Sequence, residues 1–324
     1  MVRLLLIAVA VALLAIAPFQ FYTVTLMTIM CFVVFACSFN LLLGYSGLLC
    51  FGHAMFFGGA AYVTGYILKT TPISIELAIL AGGVFSGLLG LVIGWLTIRR
   101  QGIQFAMITL AFSQFLYFIF LQAPFTGGED GMQAIPRNPM FGLIPVADNF
   151  TYYYVVLAIT LLCVFVYYRV VHSPYGEILK AVRDNQPRVE SLGFDPERIK
   201  LLAFVISASM AGVAGGMKAT VYQFATLTDA SWPISAEVIL MTLLGGLGTL
   251  LGPIFGAGII IWLNDYLAGF GEWALISQGV ILLVVIVFFR RGFVGELSAL
   301  ATFLANRRRK PDAKAETGKP ANAH

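Results

Sequence analysis

Few side chains in this sequence could do chemistry, and most of those sit inside apolar stretches. His53 lies in Cys50-Phe-Gly-His-Ala-Met-Phe-Phe-Gly58, beside clustered glycines, and Asn40 stands a little upstream. A polar or ionisable group within an apolar span is a functional candidate by default, because the bilayer interior penalises it. The same groups also serve as hydrogen-bond partners between helices. Thr109, Ser113 and Tyr117 recur every four residues, with Gln104 and Gln114 nearby. That spacing puts the three on one helix face, where they either line a polar path or bond to neighbouring helices. The turn Thr126-Gly127-Gly128-Glu129-Asp130-Gly131 can offer backbone N–H groups in a nest together with two carboxylates. It is either a receptor for a partner's basic residue or a substrate ammonium, or a plain surface turn. Glu237 and Asp265 fall near the outer ends of short spans, where water reaches them. A proton relay wants carboxylates near span centres, and none is placed there.

Enzyme signatures are absent. No Gly-x4-Gly-Lys-Ser/Thr loop occurs, so the chain is not expected to hydrolyse ATP itself. No His-Glu-x-x-His or Cys-x-x-Cys pair offers a metal site, and no catalytic residue or cofactor of its own is predicted. The four cysteines, Cys31, Cys37, Cys50 and Cys163, all lie in apolar runs, which argues against a disulfide framework. Nucleic acid is not expected as a partner, because the basic residues are spread by topology rather than gathered on a folded face.

The elements that must position these groups are membrane helices. Hydrophobic residues make up 59% of 324 positions and charged ones 11%, outside the range of soluble domains. Apolar runs of about 20 residues recur, which predicts an all-α, polytopic membrane protein. Spans fall at about 4–19, 22–43, 48–68, 75–98, 103–123, 150–171, 200–223, 236–249, 251–269 and 273–290. That is about ten transmembrane or half-spanning helices within a domain at 1–306, preceding a basic, disordered tail at 307–324 whose bases can touch anionic lipid. The run 4–16 resembles a cleavable signal, but Pro18 directly after Ala15-Ile16-Ala17 favours a retained first helix. Placing both termini in the cytoplasm puts Arg3, Arg99, Arg100, Arg169, the bases of 172–200, Arg290, Arg291 and the tail inside. Only Lys69, Arg137 and Lys218 then fall outside, as the positive-inside rule asks.

The segment His172–Lys200 is the one long water-compatible stretch. Pro174 can open a helix, and Pro187 and Gly193 break the chain beyond it. One or two short amphipathic helices are expected on the cytoplasmic face, with Ile178, Leu179, Val182, Val189 and Leu192 inward and the charges outward. Two glycine clusters echo each other: Leu43-Gly44-Tyr-Ser-Gly47 with Gly52, and Leu244-Gly245-Gly-Leu-Gly248 with Gly252-Pro253. Matched breaks in two halves of a chain point to a transport site built from discontinuous helices, or else to tight turns and packing faces.

Four ordered motifs carry a resemblance. Asn40-Leu-Leu-Leu-Gly-Tyr-Ser-Gly-Leu-Leu-Cys-Phe-Gly-His-Ala54, the Thr126–Gly131 turn, Ser173-Pro-Tyr-Gly…Arg183-Asp-Asn…Leu192-Gly and Leu243-Leu-Gly-Gly-Leu-Gly-Thr-Leu-Leu-Gly-Pro253 together resemble the permease subunits of branched-chain amino-acid ABC importers. The similarity is to the longer-loop member of the permease pair and covers about Phe32 to Arg291. Cys50 departs from the small polar residue the family often has, so it takes no family role. The resemblance implies an ABC importer permease fold in the bacterial inner membrane. Its implied partners are a second related permease, two ATPase subunits that hold ATP and magnesium, a periplasmic binding protein and a small amino acid. It makes Gly176, Ala181, Arg183, Asp184 and Gly193 the ATPase-coupling residues. Asn40, Gly44, Gly47, Gly52, His53, Thr109, Ser113, Gly245, Gly248 and Gly252 become candidates for the translocation path. Urea or short amides are alternative cargoes, and a stand-alone carrier or channel is the alternative of a different class.

Overall fold

The computed structural model describes residues 14, 16–20, 22–100, 102–140 and 148–267, with isolated positions 269, 276, 279, 280 and 283. The expected spans at 4–19 and 273–290 lie largely outside these residues, and the tail at 307–324 lies wholly outside them.

The described chain is helical. Helix α1 (Thr23–Asn40) runs on through a π turn at Leu41–Ser46. Beyond it come α2 (Ala54–Thr70), α3 (Ile75–Thr97), α4 (Ile103–Gln122) and α5 (Asn149–Val171). Two short helices are next, α6 (Pro174–Asp184) and α7 (Gln186–Ser191), then α8 (Pro196–Tyr222), α9 (Trp232–Gly245) and α10 (Gly252–Leu267). Among the described residues, five segments are long and apolar enough to span a bilayer: 23–46, 75–97, 103–122, 149–171 and 196–222. Helices α2, α9 and α10 are shorter, with 17, 14 and 16 residues.

Lipid is the solvent here, so the usual inside-out pattern of a helix is replaced by a contrast of size. On α3, Gly82, Ser86, Gly90 and Gly94 recur every four residues and are buried, while Leu80, Val84, Leu88, Leu91 and Trp95 are exposed. The small stripe lets α3 close on α8, where a β-carbon on Gly212 would stand 2.5 Å from that of Ser86. With the bulky side chains pointing away, dispersion between close backbones replaces hydrophobic burial as the adhesive. Helix α8 is thereby the hub, packed on α1, α2 and α3.

Side-chain caps mark the helices that start within the polar segment 172–200. Ser173 accepts from Gly176 N, Asn185 from Arg188 N, and Asp195 from Glu197 N and Arg198 N, each with proline in the first turn. Helices α1 to α5 start without a side-chain cap.

The two polar segments sit at opposite ends of the bundle, because α5 and α8 run between them. Segment 123–140 is held at the C-terminal end of α8: Met132 N donates to Ala225 O at 2.9 Å and Ile135 N to Gln223 O at 2.8 Å. Arg137 donates to Thr220 O at 2.9 Å and Val221 O at 2.6 Å, capping the last carbonyls of α8, and its guanidinium lies 4.6 Å from the Tyr152 ring centre. Burial pulls this guanidinium below its ordinary value, partly offset by Tyr152. The other segment, 172–195, precedes α8 at the opposite end.

Candidate functional site

The water-compatible segment folds as two helices. Leu179 and Val182 on α6 and Val189 on α7 are buried, and Ile178 is half-buried. Leu192 is a correction: it is 69% exposed instead of inward. Helix α7 ends at Ser191 and Gly193 turns the chain at φ +86°, so Leu192 leaves the helical register before it can face the bundle. Pro187 also opens α7 rather than breaking it; the break falls at Asn185, with φ −156°.

Of the five coupling candidates, Gly176 is buried against the end of α5, where a β-carbon would stand 2.6 Å from Val170 O. Ala181, Asp184 and Gly193 are exposed, and nothing crowds Gly193, so its left-handed φ alone accounts for the glycine. Arg183 reaches inward. Its Nη1 donates to Gly44 O, while Asp184 fixes the rest of the guanidinium at 2.9 to 3.0 Å. Its aliphatic stem covers Gly47, whose left-handed turn (φ +72°) ends the π segment and whose β-carbon would stand 2.9 Å from Arg183 Cγ. Lys180 lies 5.7 Å from the Tyr45 ring centre. Tyr175 ties α6 to the start of α8 by donating to Ile199 O at 2.7 Å, and burial raises its phenol above the usual range.

Asn40 joins the two glycine clusters. Its Oδ1 accepts from Gly248 N at 3.1 Å, and its Nδ2 donates to Thr249 O at 2.9 Å and to Tyr167 Oη at 2.7 Å. A planar amide, with a donor end and an acceptor end, can satisfy a turn's N–H and C=O together without carrying charge. A β-carbon on Gly44 would stand 2.6 Å from Gly248 N, so the two clusters touch backbone to backbone. Gly248 takes the left-handed conformation (φ +69°), and Gly245 and Gly252 press against each other where α9 folds back into α10. Within the first cluster the helix absorbs Gly44 in its π turn and breaks at Gly47. Thus Arg183 and Asn40, assigned to separate roles from the sequence, belong to one junction.

The other path candidates lie apart from it. Gly52 packs on the Thr109 carbonyl of α4, too close for any side chain. Thr109 Oγ1 donates to its own Ala106 O at 2.9 Å, and Ser113 is buried. Both lie against Gly52 inside the bundle. His53 is fully buried, with Phe35 stacked at 5.3 Å and Phe39 and Phe56 edge-on at 5.4 and 5.8 Å. Ser38 Oγ spends its hydrogen on Phe35 O at 2.7 Å, so His53 Nε2 is the donor to Ser38 Oγ at 3.0 Å. This puts a hydrogen on Nε2, and Nδ1 has no partner.

At the far end, Thr126 is buried and donates to Phe120 O and Ala123 O, shaping the turn. Gly127, Gly128 and Gly131 all take left-handed φ, at +80°, +62° and +69°. Glu129 and Asp130 are exposed. Among the described residues no group of three His, Cys, Asp or Glu could hold a metal ion.

Comparison with known proteins converges on one family. Residues 21–289 match the family described as "Branched-chain amino acid transport system / permease component", and the chain belongs to it. It is 26% identical to the high-affinity branched-chain amino acid transport system permease protein LivM of Salmonella typhimurium, over 82% of this chain and 68% of that one. It is 27% identical to LivM of Escherichia coli K12, over 88% of this chain and 74% of that one. It is also 26% identical to the autoinducer 2 import system permease protein LsrC of Salmonella paratyphi B, over 65% and 62% of the two chains. No solved structure matches.

Proposed function

We propose that this membrane permease is one half of the translocation unit of an ATP-driven importer for branched-chain or other small amino acids. Its setting is the bacterial inner membrane, with both termini and α6–α7 cytoplasmic and the Thr126–Gly131 turn outside. A second related permease completes the pathway, two ATPase subunits hold ATP and magnesium and dock on 172–200, and a periplasmic protein delivers substrate. This chain supplies no cofactor and no catalytic group.

The observation that carries this reading is the Arg183 bond to Gly44 O. It connects an exposed amphipathic ledge to the one place where both glycine clusters meet. A push on α6 from an ATPase reaches Gly44, and Asn40 relays it to the Gly248 turn between α9 and α10. Rigid-body rocking of helices about such breaks is the common form of alternating access. Stiff, close-packed backbones transmit displacement instead of absorbing it.

The test is reconstitution. The complete assembly in liposomes, with loaded binding protein and internal ATP, should accumulate leucine. The chain alone in lipid should pass none. Flux from the lone chain equal to that of the assembly would establish a stand-alone carrier, and uptake of urea in place of leucine would move the cargo to the amide class.

A further inference from the structure

On sequence grounds Lys218 is a charge that marks the outer side, and Glu237 and Asp265 are wetted helix ends. The structure places all three on one open cavity of about 670 Å³, lined by α1, α8, α9 and α10 at the end opposite Arg183. Its walls differ in chemistry. The α1 and α8 side carries donors. Lys218 pairs with the buried Asp229, yet an ammonium has three hydrogens and its side chain keeps 16% exposure. Beside it Thr28 Oγ1 spends its hydrogen on Val24 O at 2.9 Å, so Tyr222 Oη donates to Thr28 Oγ1 at 2.9 Å. The α9 and α10 side carries acceptors. Glu237 Oε1 accepts from Asn264 Nδ2 at 2.8 Å, which leaves the buried Asn264 Oδ1 without a partner. Asp265 stands at the rim, accepting from Thr25 at 3.2 Å. Phe32, Ile234 and Ile261 supply apolar wall between the two poles.

A structural ion pair explains Lys218 and Asp229 but not the rest. A half-buried carboxylate and an orphaned amide oxygen on one wall face, across a space of ligand size, an ammonium on the other that has hydrogens beyond the one given to Asp229. We propose that this cavity is a transit site for an α-amino acid with an apolar side chain. Glu237, Asn264 Oδ1 and Asp265 receive the ammonium, Lys218 receives the carboxylate, and Phe32, Ile234 and Ile261 receive the side chain. The site rests on the import reading above and adds to it the residues that this chain presents to the solute.

The experiment uses the complete assembly in liposomes with leucine-loaded binding protein. Glu237→Gln keeps shape and the bond to Asn264, so it should lower leucine uptake at least ~tenfold, the scale of one lost charge-assisted bond. Asn264→Cys should react with 2-aminoethyl methanethiosulfonate, a small cationic thiol reagent, against low background because the four native cysteines are buried. Leucine during turnover should slow that labelling several-fold. Wild-type uptake by Glu237→Gln, or labelling at 264 indifferent to leucine in an actively transporting preparation, would overturn the site while leaving the import reading intact. Failure of the unaltered assembly to take up any amino acid would overturn that reading, and the site with it.

Discussion

The two ends of this bundle are built on opposite plans. At the Arg183 end, backbones approach so closely that Gly44 and Gly248 leave no room for a methyl group, and one amide side chain satisfies three partners. At the Lys218 end, the same helices splay around a polar cavity with an unpaired acceptor in its wall. Helices α1, α8, α9 and α10 contribute near both ends, so the difference lies in which residues each turn of helix presents. Glycine and asparagine make a close-packed joint bonded backbone to side chain. Charged and hydroxyl side chains line an open space. Between the two, Phe32, Phe57, Phe35 and His53 form a row of touching aromatic rings, with centres 4.5 to 5.8 Å apart.

The largest effect expected at the joint is from Gly44→Leu. The new side chain meets Gly248 N, a backbone atom that cannot step aside, and overpacking of this kind costs about 1–3 kcal/mol or more. Uptake by the reconstituted assembly should fall to background, and thermal unfolding of the purified chain should move downward. Asn40→Ala comes next. It strips three hydrogen bonds and strands buried backbone groups at about 1–3 kcal/mol each, which should lower the unfolding temperature and reduce uptake together. If Asn40→Ala left stability unchanged, the joint would not be a single unit. At the outer turn, Glu129→Gln with Asp130→Asn should weaken capture of the loaded binding protein only a few-fold, because exposed charge pairs are worth about 0–1 kcal/mol. The smallest effect should come from Thr109→Val. Its hydroxyl hydrogen goes to Ala106 O of its own helix and Thr109→Val keeps the shape, so uptake should stay within about twofold, as for substitutions that cost about 0.5 kcal/mol or less. A large loss there would return Thr109 to the path and extend the polar end deeper than the cavity.

Much of this architecture is legible in the sequence alone. The apolar spans and the wet segment reflect solvent chemistry acting on local sequence, so 103–122 and 149–171 fall where hydropathy puts them. The amphipathic face of α6 is legible for the same reason. What hydropathy cannot carry is contact at long range. Asn40 and Gly248 are 208 residues apart, and nothing periodic joins them. Nor does composition reveal which residue breaks the first cluster, because a π turn can absorb Gly44 when Asn40 and Arg183 hold its neighbours. Lys218 is hidden by a competing explanation: as a topological charge it needs no partner. Yet an ionisable side chain in an apolar helix, in a chain that also places Glu237, Asn264 and Asp265 in short spans, is itself the signal. Leu192 escapes the inward face because helical periodicity stops short of the glycine that turns the chain.

The central claim is that force enters through α6 and reaches the joint by way of Arg183. Its most direct test is Arg183→Ala in the complete assembly, reading leucine uptake and ATP hydrolysis in the same liposomes. The side chain lies at the surface and its loss should leave the complex assembled, with basal ATP hydrolysis within about twofold, while uptake drops at least ~tenfold for the loss of a charge-assisted link. Uptake that stays coupled to ATP hydrolysis as in the unaltered complex would contradict the account.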